Sequence, residues 1–170
     1  MQQHVFQPVP LDLYEINPFR KISEDWMVIT AGTEEKANSM TASWGGMGTL
    51  WDEDVVFIFV RESRYTKEFL DKTDGFSCTF FGKENRAMLK YFGSVSGRNE
   101  DKVANAKMHY DYIEGIPYIN EADTVLICKK LAAVPIEESN ILLPGLLSVN
   151  YPQGDFHTMY VGGVIQLGAR

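Results

Sequence analysis

Six stretches rich in β-branched and aromatic residues recur along the chain with helical segments between only some of them, and this spacing constrains the fold more than any other feature. They are Trp26–Gly32, Asn38–Trp44, Val55–Arg61, Gly75–Phe81, Thr124–Val134 and Phe156–Gln166. Turn-forming residues separate many of them, as at Asp52–Asp54 and Pro152–Gly154. Three other stretches read as helices. Tyr65–Asp74 follows Ser63 as a cap and stops before Gly75, Glu84–Phe92 repeats apolar residues at helical spacing, and Asn99–Lys107 is shorter. Regular strand–helix alternation would predict a doubly wound parallel sheet. The irregular pattern predicts instead a mainly β chain, an antiparallel barrel with helices inserted near its middle. At 170 residues, 45% of them hydrophobic, the whole chain is predicted to form one domain with a substantial core.

Several classes are argued against. The longest apolar stretch, 141–149, is broken by Pro144, Gly145 and Ser148 and is far shorter than the roughly 20 residues a bilayer needs, so no membrane association is expected. The opening MQQHVFQPVP lacks the basic start and apolar run of a secretory leader. Cys78 and Cys128 stand fifty positions apart, with no Cys/His cluster, which predicts neither a disulfide framework nor a metal site and suggests a reducing, cytoplasmic setting. A net charge of −7 argues against nucleic acid. Yet residues 61–102 hold nine Lys/Arg against seven Asp/Glu, while the remainder is strongly acidic. That local excess suits a small anion, or else two helices with ordinary solvated faces.

Four segments could carry chemistry. Asn38–Gly46 runs small and hydroxyl side chains into two glycines; Thr41 and Ser43 share one face, where a flat ligand could approach the backbone, or they face solvent on an edge strand. Arg61–Thr66 joins a strand to a helix start, with Arg64, Ser63 and Thr66 available for a phosphate or for capping and ion pairing. Ser94–Lys102 offers a second anion candidate, with Gly97 permitting a tight turn; the alternative is a surface turn with Asp101 capping the third helix. His157 lies in a strand beside Gly162 and Gly163, where it is either structural or borders a pocket for a flat ring. His4 and His109 have no partners in a catalytic pattern, and no Gly-x-Gly-x-x-Gly, phosphate-loop lysine or Gly-x-Ser-x-Gly occurs.

Taken in order, Asn-x-Met-Thr-Ala-Ser-Trp at 38–44, Arg-x-x-Arg-Tyr-Thr at 61–66, Phe-Ser-Cys-Thr-Phe-Phe at 76–81, Ser-Gly-Arg-x-x-Asp-Lys at 96–102 and His-x-x-x-x-Gly-x-Val at 157–164 resemble the flavin reductase-like proteins with the FMN-binding split-barrel fold, particularly their flavoredoxin-like branch. The resemblance spans about residues 18–165 and implies a Greek-key barrel of roughly six antiparallel strands, forming a homodimer. It implies FMN as cofactor, NADH or NADPH as electron donor, and a small-molecule or small electron-carrier acceptor. By position it places Thr41, Ala42, Ser43 and Trp44 along the flavin ring. Arg61, Ser63, Arg64, Tyr65 and Thr66 fall around its phosphate, with Ser96, Gly97, Arg98 and Lys102 as further contacts and His157 near the nicotinamide. Residues 45–51, GGMGTLW, depart from the family's varied loop over the flavin, so acceptor specificity does not carry over. The resemblance leaves two alternatives: a flavin carrier without its own NAD(P)H turnover, and a split barrel adapted to another ligand such as haem.

Overall fold

The computed structural model describes residues 6–170; His4 and the first half of the segment read for a leader lie outside them. Among the described residues ten strands form: β1 (Gln7–Pro8), β2 (Met27–Gly32), β3 (Ala37–Ala42), β4 (Gly45–Leu50), β5 (Glu53–Arg61), β6 (Gly75–Phe80), β7 (Tyr110–Ile113), β8 (Ile116–Ile119), β9 (Thr124–Pro135) and β10 (His157–Ala169). The α-helices are α1 (Pro18–Arg20), α2 (Tyr65–Leu70), α3 (Arg86–Ser94), α4 (Lys102–Asn105) and α5 (Pro144–Asn150). The main sheet runs β3-β2-β6-β9-β10-β5-β4, every neighbouring pair antiparallel, with β1 added along β10. All six expected strands are present. Each free edge belongs to one of two successive strands, because β3 leads into β4 through only Ser43 and Trp44. The sheet therefore curls until its edges meet at a two-residue seam and stay unladdered, which makes a split barrel of the expected class.

Alternation along the strands fills two cores. Met27, Ile29, Phe76, Cys78, Phe80, Leu126 and Cys128 point into the barrel, while Val28, Val125 and Ile127, one residue out of step, pack outward against Leu89 and Phe92 of α3, Val103 of α4 and Tyr118 and Ile119 of β8. Strands β2 and β6 are buried on both faces; β2 is mostly apolar throughout, while the alternating Ser77 and Thr79 of β6 are buried with their hydroxyls donating to the Pro117 and Val28 carbonyls. Both cysteines are free and buried inside the barrel.

Two expectations, at 45–51 and at the third helix, need correcting, and two unassigned stretches gain an assignment. The glycine-rich 45–51 segment is mostly strand β4, held by its ladder to β5. The 110–119 region, left unassigned by sequence, is a hairpin turning at Glu114 and Gly115, both at positive φ as a two-residue hairpin turn requires. Most of the apolar 141–149 stretch falls in helix α5, none of whose residues is buried. The third expected helix shrinks to α4, whose start Asp101 caps by accepting from the Ala104 N–H at 3.0 Å. No helix among the described residues is long and apolar enough to cross a membrane.

Candidate functional site

A cleft of about 210 Å³ opens where the seam meets β5 and β10, lined by Met40, Thr41, Ala42, Ser43, Trp44, Phe59, Arg61, Arg64, Gly93 and His157. Its walls follow from the ladders. β3 is an edge strand, so the backbone groups on its outer side have no ladder partner. Register places His157 of β10 opposite Arg61 of β5, and the residue two before it, Phe59, shares that strand's face. Arg61 donates to the Asp155 carbonyl at 2.7 Å and lies over the Tyr151 ring; Arg64 donates to the Gly93 carbonyl at 3.0 Å. Neither guanidinium pairs with a carboxylate among the described residues. The nearby Asp155 carboxylate is occupied, accepting from the Ser63 N–H at 3.0 Å and the Ser63 hydroxyl at 2.5 Å.

The electrostatics show cations crowding one another. Burial, then the charge of Arg61, lowers the Arg64 pKa. Burial, then Arg64, lowers Lys102 to about 8. Burial, then Arg61, lowers His157 to about 4, so its ring is neutral at pH 7. A donor-rich, partly buried pair of arginines, Arg61 and Arg64, without a salt-bridge partner among the described residues is what an anion such as a phosphate completes. Beside it stands a flat aromatic wall: the Trp44 indole is 53% exposed and its centroid is 5.6 Å from that of His157. These residues fit a ligand that is planar at one end and anionic at the other.

A family model described as the flavin reductase like domain matches residues 19–169. The chain belongs to the flavin reductase-like family. No curated protein matches it by sequence. Among solved structures it resembles a flavoredoxin from Methanosarcina acetivorans (22% identity, TM-score 0.67, covering 86% of this chain and 68% of that one). It is also similar to an FMN-binding domain of a flavin reductases-like enzyme from Shewanella baltica (16%, 0.70, 99% and 79%) and to the styrene monooxygenase flavin reductase of Pseudomonas putida (18%, 0.62, 86% and 79%). At these identities the likeness is one of fold.

Of the positions singled out from sequence, this flavin reductase-like chain gathers Thr41, Ala42, Ser43, Trp44, Arg61, Arg64 and His157 around one cleft. The others point elsewhere. Ser63 does not cap α2; Arg64 occupies that position without a side-chain cap, because Asp155 takes the serine hydroxyl. Thr66 is buried and accepts from the Asn38 amide at 2.8 Å, so it does not line the cleft. Arg98 pairs with Glu68, donates to the Ser63 carbonyl and lies over the Tyr65 ring, while the Ser96 hydroxyl accepts the Arg98 N–H. Gly97 is required by close approach, since a Cβ there would sit 1.9 Å from Asn38 Oδ1. Lys102 donates to the Phe92 carbonyl at 2.9 Å and lines, with Tyr65 and Gly97, a separate pocket of about 290 Å³. Lys102 and Arg64 thus hold successive carbonyls in the last turn of α3, satisfying groups that a helix end leaves open. Nor do Gly162 and Gly163 leave ligand room: a Cβ on the first would strike Phe76 and on the second would press on Leu131. Sequence reasoning missed Phe59 and Tyr151. Phe59 was legible from its two-residue spacing to Arg61, but nothing in the sequence marks Tyr151, whose hydroxyl lies 2.7 Å from His157 Nδ1.

The histidine supports a pH prediction. Its folded pKa lies below the ordinary 6.5, so its contribution is intact above pH 6.5 and is lost as pH falls from there through about 4, where the unfolded chain takes up a proton and the folded one resists it. His157 is only 6% exposed, and the loss should approach about 2–3 kcal/mol. Thermal melts between pH 7 and 4.5 should show a smaller acid drop for His157→Gln than for the parent. An equal drop in both would refute the assignment.

Proposed function

We propose that the seam cleft binds FMN and that the chain is an FMN-dependent oxidoreductase drawing on NADH or NADPH. The observation that carries this reading is the pair Arg61 and Arg64, partly buried and without a salt-bridge partner among the described residues, beside the exposed Trp44 indole in a chain of net charge −7. Bound FMN supplies the hydride-accepting and electron-donating chemistry. The side chains have simpler tasks. Arg64 and Arg61 hold the phosphate by charge-assisted contacts; the outer edge of β3 and the Ser43 hydroxyl serve the polar rim of the ring. His157, neutral and fixed by Tyr151, orients the nicotinamide without transferring a proton.

Titrating the protein with FMN and then adding NADH or NADPH without oxygen tests both parts. Saturable binding followed by bleaching of the yellow colour is expected. Binding without bleaching would leave a flavin carrier, and no flavin binding would end the reading.

We further propose that the chain pairs with a second copy. Leu143, Leu146 and Val149 recur at three-residue spacing through and just before α5, with Leu142 87% exposed beside them, a patch that water does not favour. Light scattering should give about twice the 19.3 kDa chain mass, and Leu146→Glu should halve it; a 19 kDa particle for the parent would refute the pairing.

A further inference from the structure

We propose that a pocket beneath the N-terminal segment binds a primary amine carried on an apolar chain. Residues 11–18 face β4, β5, β9 and β10 there across a space of about 400 Å³, within the roughly 300–1,000 Å³ of small-molecule sites. The pocket is remote from the phosphate end of the cleft. Asp54, in its lining, stands seven residues before Arg61 on β5, about 23 Å at a strand's rise per residue. Leu11, Met47 and Val164 pack against the barrel core, and Val56 and Leu126 belong to it, so the floor is apolar.

The charge of the lining sets the class of guest. Its only charged residues are Asp12 and Asp54, both exposed, and neither carboxylate pairs with a cation or accepts a hydrogen bond among the described residues. The surrounding sequence supplies no counter-charge either: residues 1–18 and 43–60 hold Asp12, Glu15, Asp52, Glu53 and Asp54 and no Lys or Arg. An apolar floor under unpaired carboxylates complements a molecule with an apolar body and one cationic end, whereas an anionic guest would lose water and meet like charge. Tyr14 adds a second, independent sign. It lines the pocket, and its hydroxyl is buried without a hydrogen bond of ordinary geometry among the described residues. Such a group costs stability until something completes it, and a turn of the ring toward the pocket would offer an ammonium N–H an acceptor.

Calorimetric titration of the full chain at pH 7 with octylamine, which is protonated there, with butylamine and with octanoate tests the proposal. One saturable octylamine site is expected. Butylamine should bind roughly a hundredfold more weakly for want of four buried methylenes. Octanoate, with a similar chain and the opposite charge, should be weaker by roughly tenfold or more. The double variant Asp12→Asn, Asp54→Asn changes only exposed side chains and should weaken octylamine by roughly five- to tenfold. Asp74→Asn, which removes an exposed carboxylate elsewhere, should leave it unchanged. Octanoate binding as tightly as octylamine, an isotherm that does not saturate, or parent-like affinity in the double variant would overturn the proposal. So would a double variant that shifts the light-scattering mass while the parent takes up no octylamine, since the pocket would then belong to a contact between copies. FMN takes no part in these titrations, so their failure leaves the flavin reading standing.

Discussion

Replacing Arg64 with methionine is expected to lower FMN affinity roughly ten- to a hundredfold while leaving the barrel folded. Charge-assisted hydrogen bonds are worth about 1.5–3 kcal/mol each, and every 1.4 kcal/mol is tenfold in affinity. Arg64 sits in the cleft with one bond to the Gly93 carbonyl and no carboxylate partner, so most of its five N–H donors remain for a ligand. The fold should tolerate the change because Lys102 still holds the neighbouring Phe92 carbonyl at the end of α3. Arg64→Lys should fall between parent and methionine variant, keeping the charge but not the planar fork. Fluorescence titration of the apoprotein reads all three. Parent-like affinity in Arg64→Met would mean that the guanidinium serves the helix end alone.

Gly162→Ala should act on stability and spare the cleft. A Cβ at this position would stand 2.4 Å from Phe76 Cζ and 2.8 Å from the Cys128 Cβ. Both residues are fully buried in the barrel interior, and Gly162 borders a register shift between β10 and β9, so neither ring nor strand has space to retreat. Overpacking of this kind costs about 2–3 kcal/mol, which in a domain of this size lowers Tm by roughly 4–12 °C. Gly145→Ala is the control: nothing lies within 4 Å of a Cβ there, and alanine suits helix α5 better than glycine. A parent-like melt for Gly162→Ala would show that the core around Phe76 yields.

The contrast between these two residues shows what the sequence made legible. Arg64 stands in a local charge excess at a strand–helix junction, and both features survive translation into three dimensions. Gly162 looked like space for a ligand, but which ring crosses a glycine depends on the neighbouring strand and leaves no trace in local spacing. The same limit explains Ser63, Thr66 and Lys102: their partners Asp155, Asn38 and Phe92 lie 92, 28 and 10 positions away. Beyond Cys128 the stretch Thr124–Val134 is largely exposed and mixes lysines with apolar residues, but within it the run Val125–Cys128 announced its strand because burial on both faces there demands apolar residues at successive positions. Strand β4 did not, since GGMGTL has little intrinsic preference for a sheet and is strand chiefly because β5 pairs with it. The β7–β8 hairpin went unassigned although Tyr110, Tyr112, Ile116 and Tyr118 flank Glu114-Gly115, because four-residue strands give only a short alternation on either side of the turn.

The two-residue seam between β3 and β4 separates two kinds of mutational freedom. The interior ladders of β6, β9, β10 and β5 hold the barrel shut, and both edges are paired on one side only. Substitutions at Ser43, Trp44 or Gly46 therefore act on backbone that ends a sheet rather than crosses it. An evolving lineage could re-cut the ligand surface there, residue by residue, while the architecture that carries it stayed fixed.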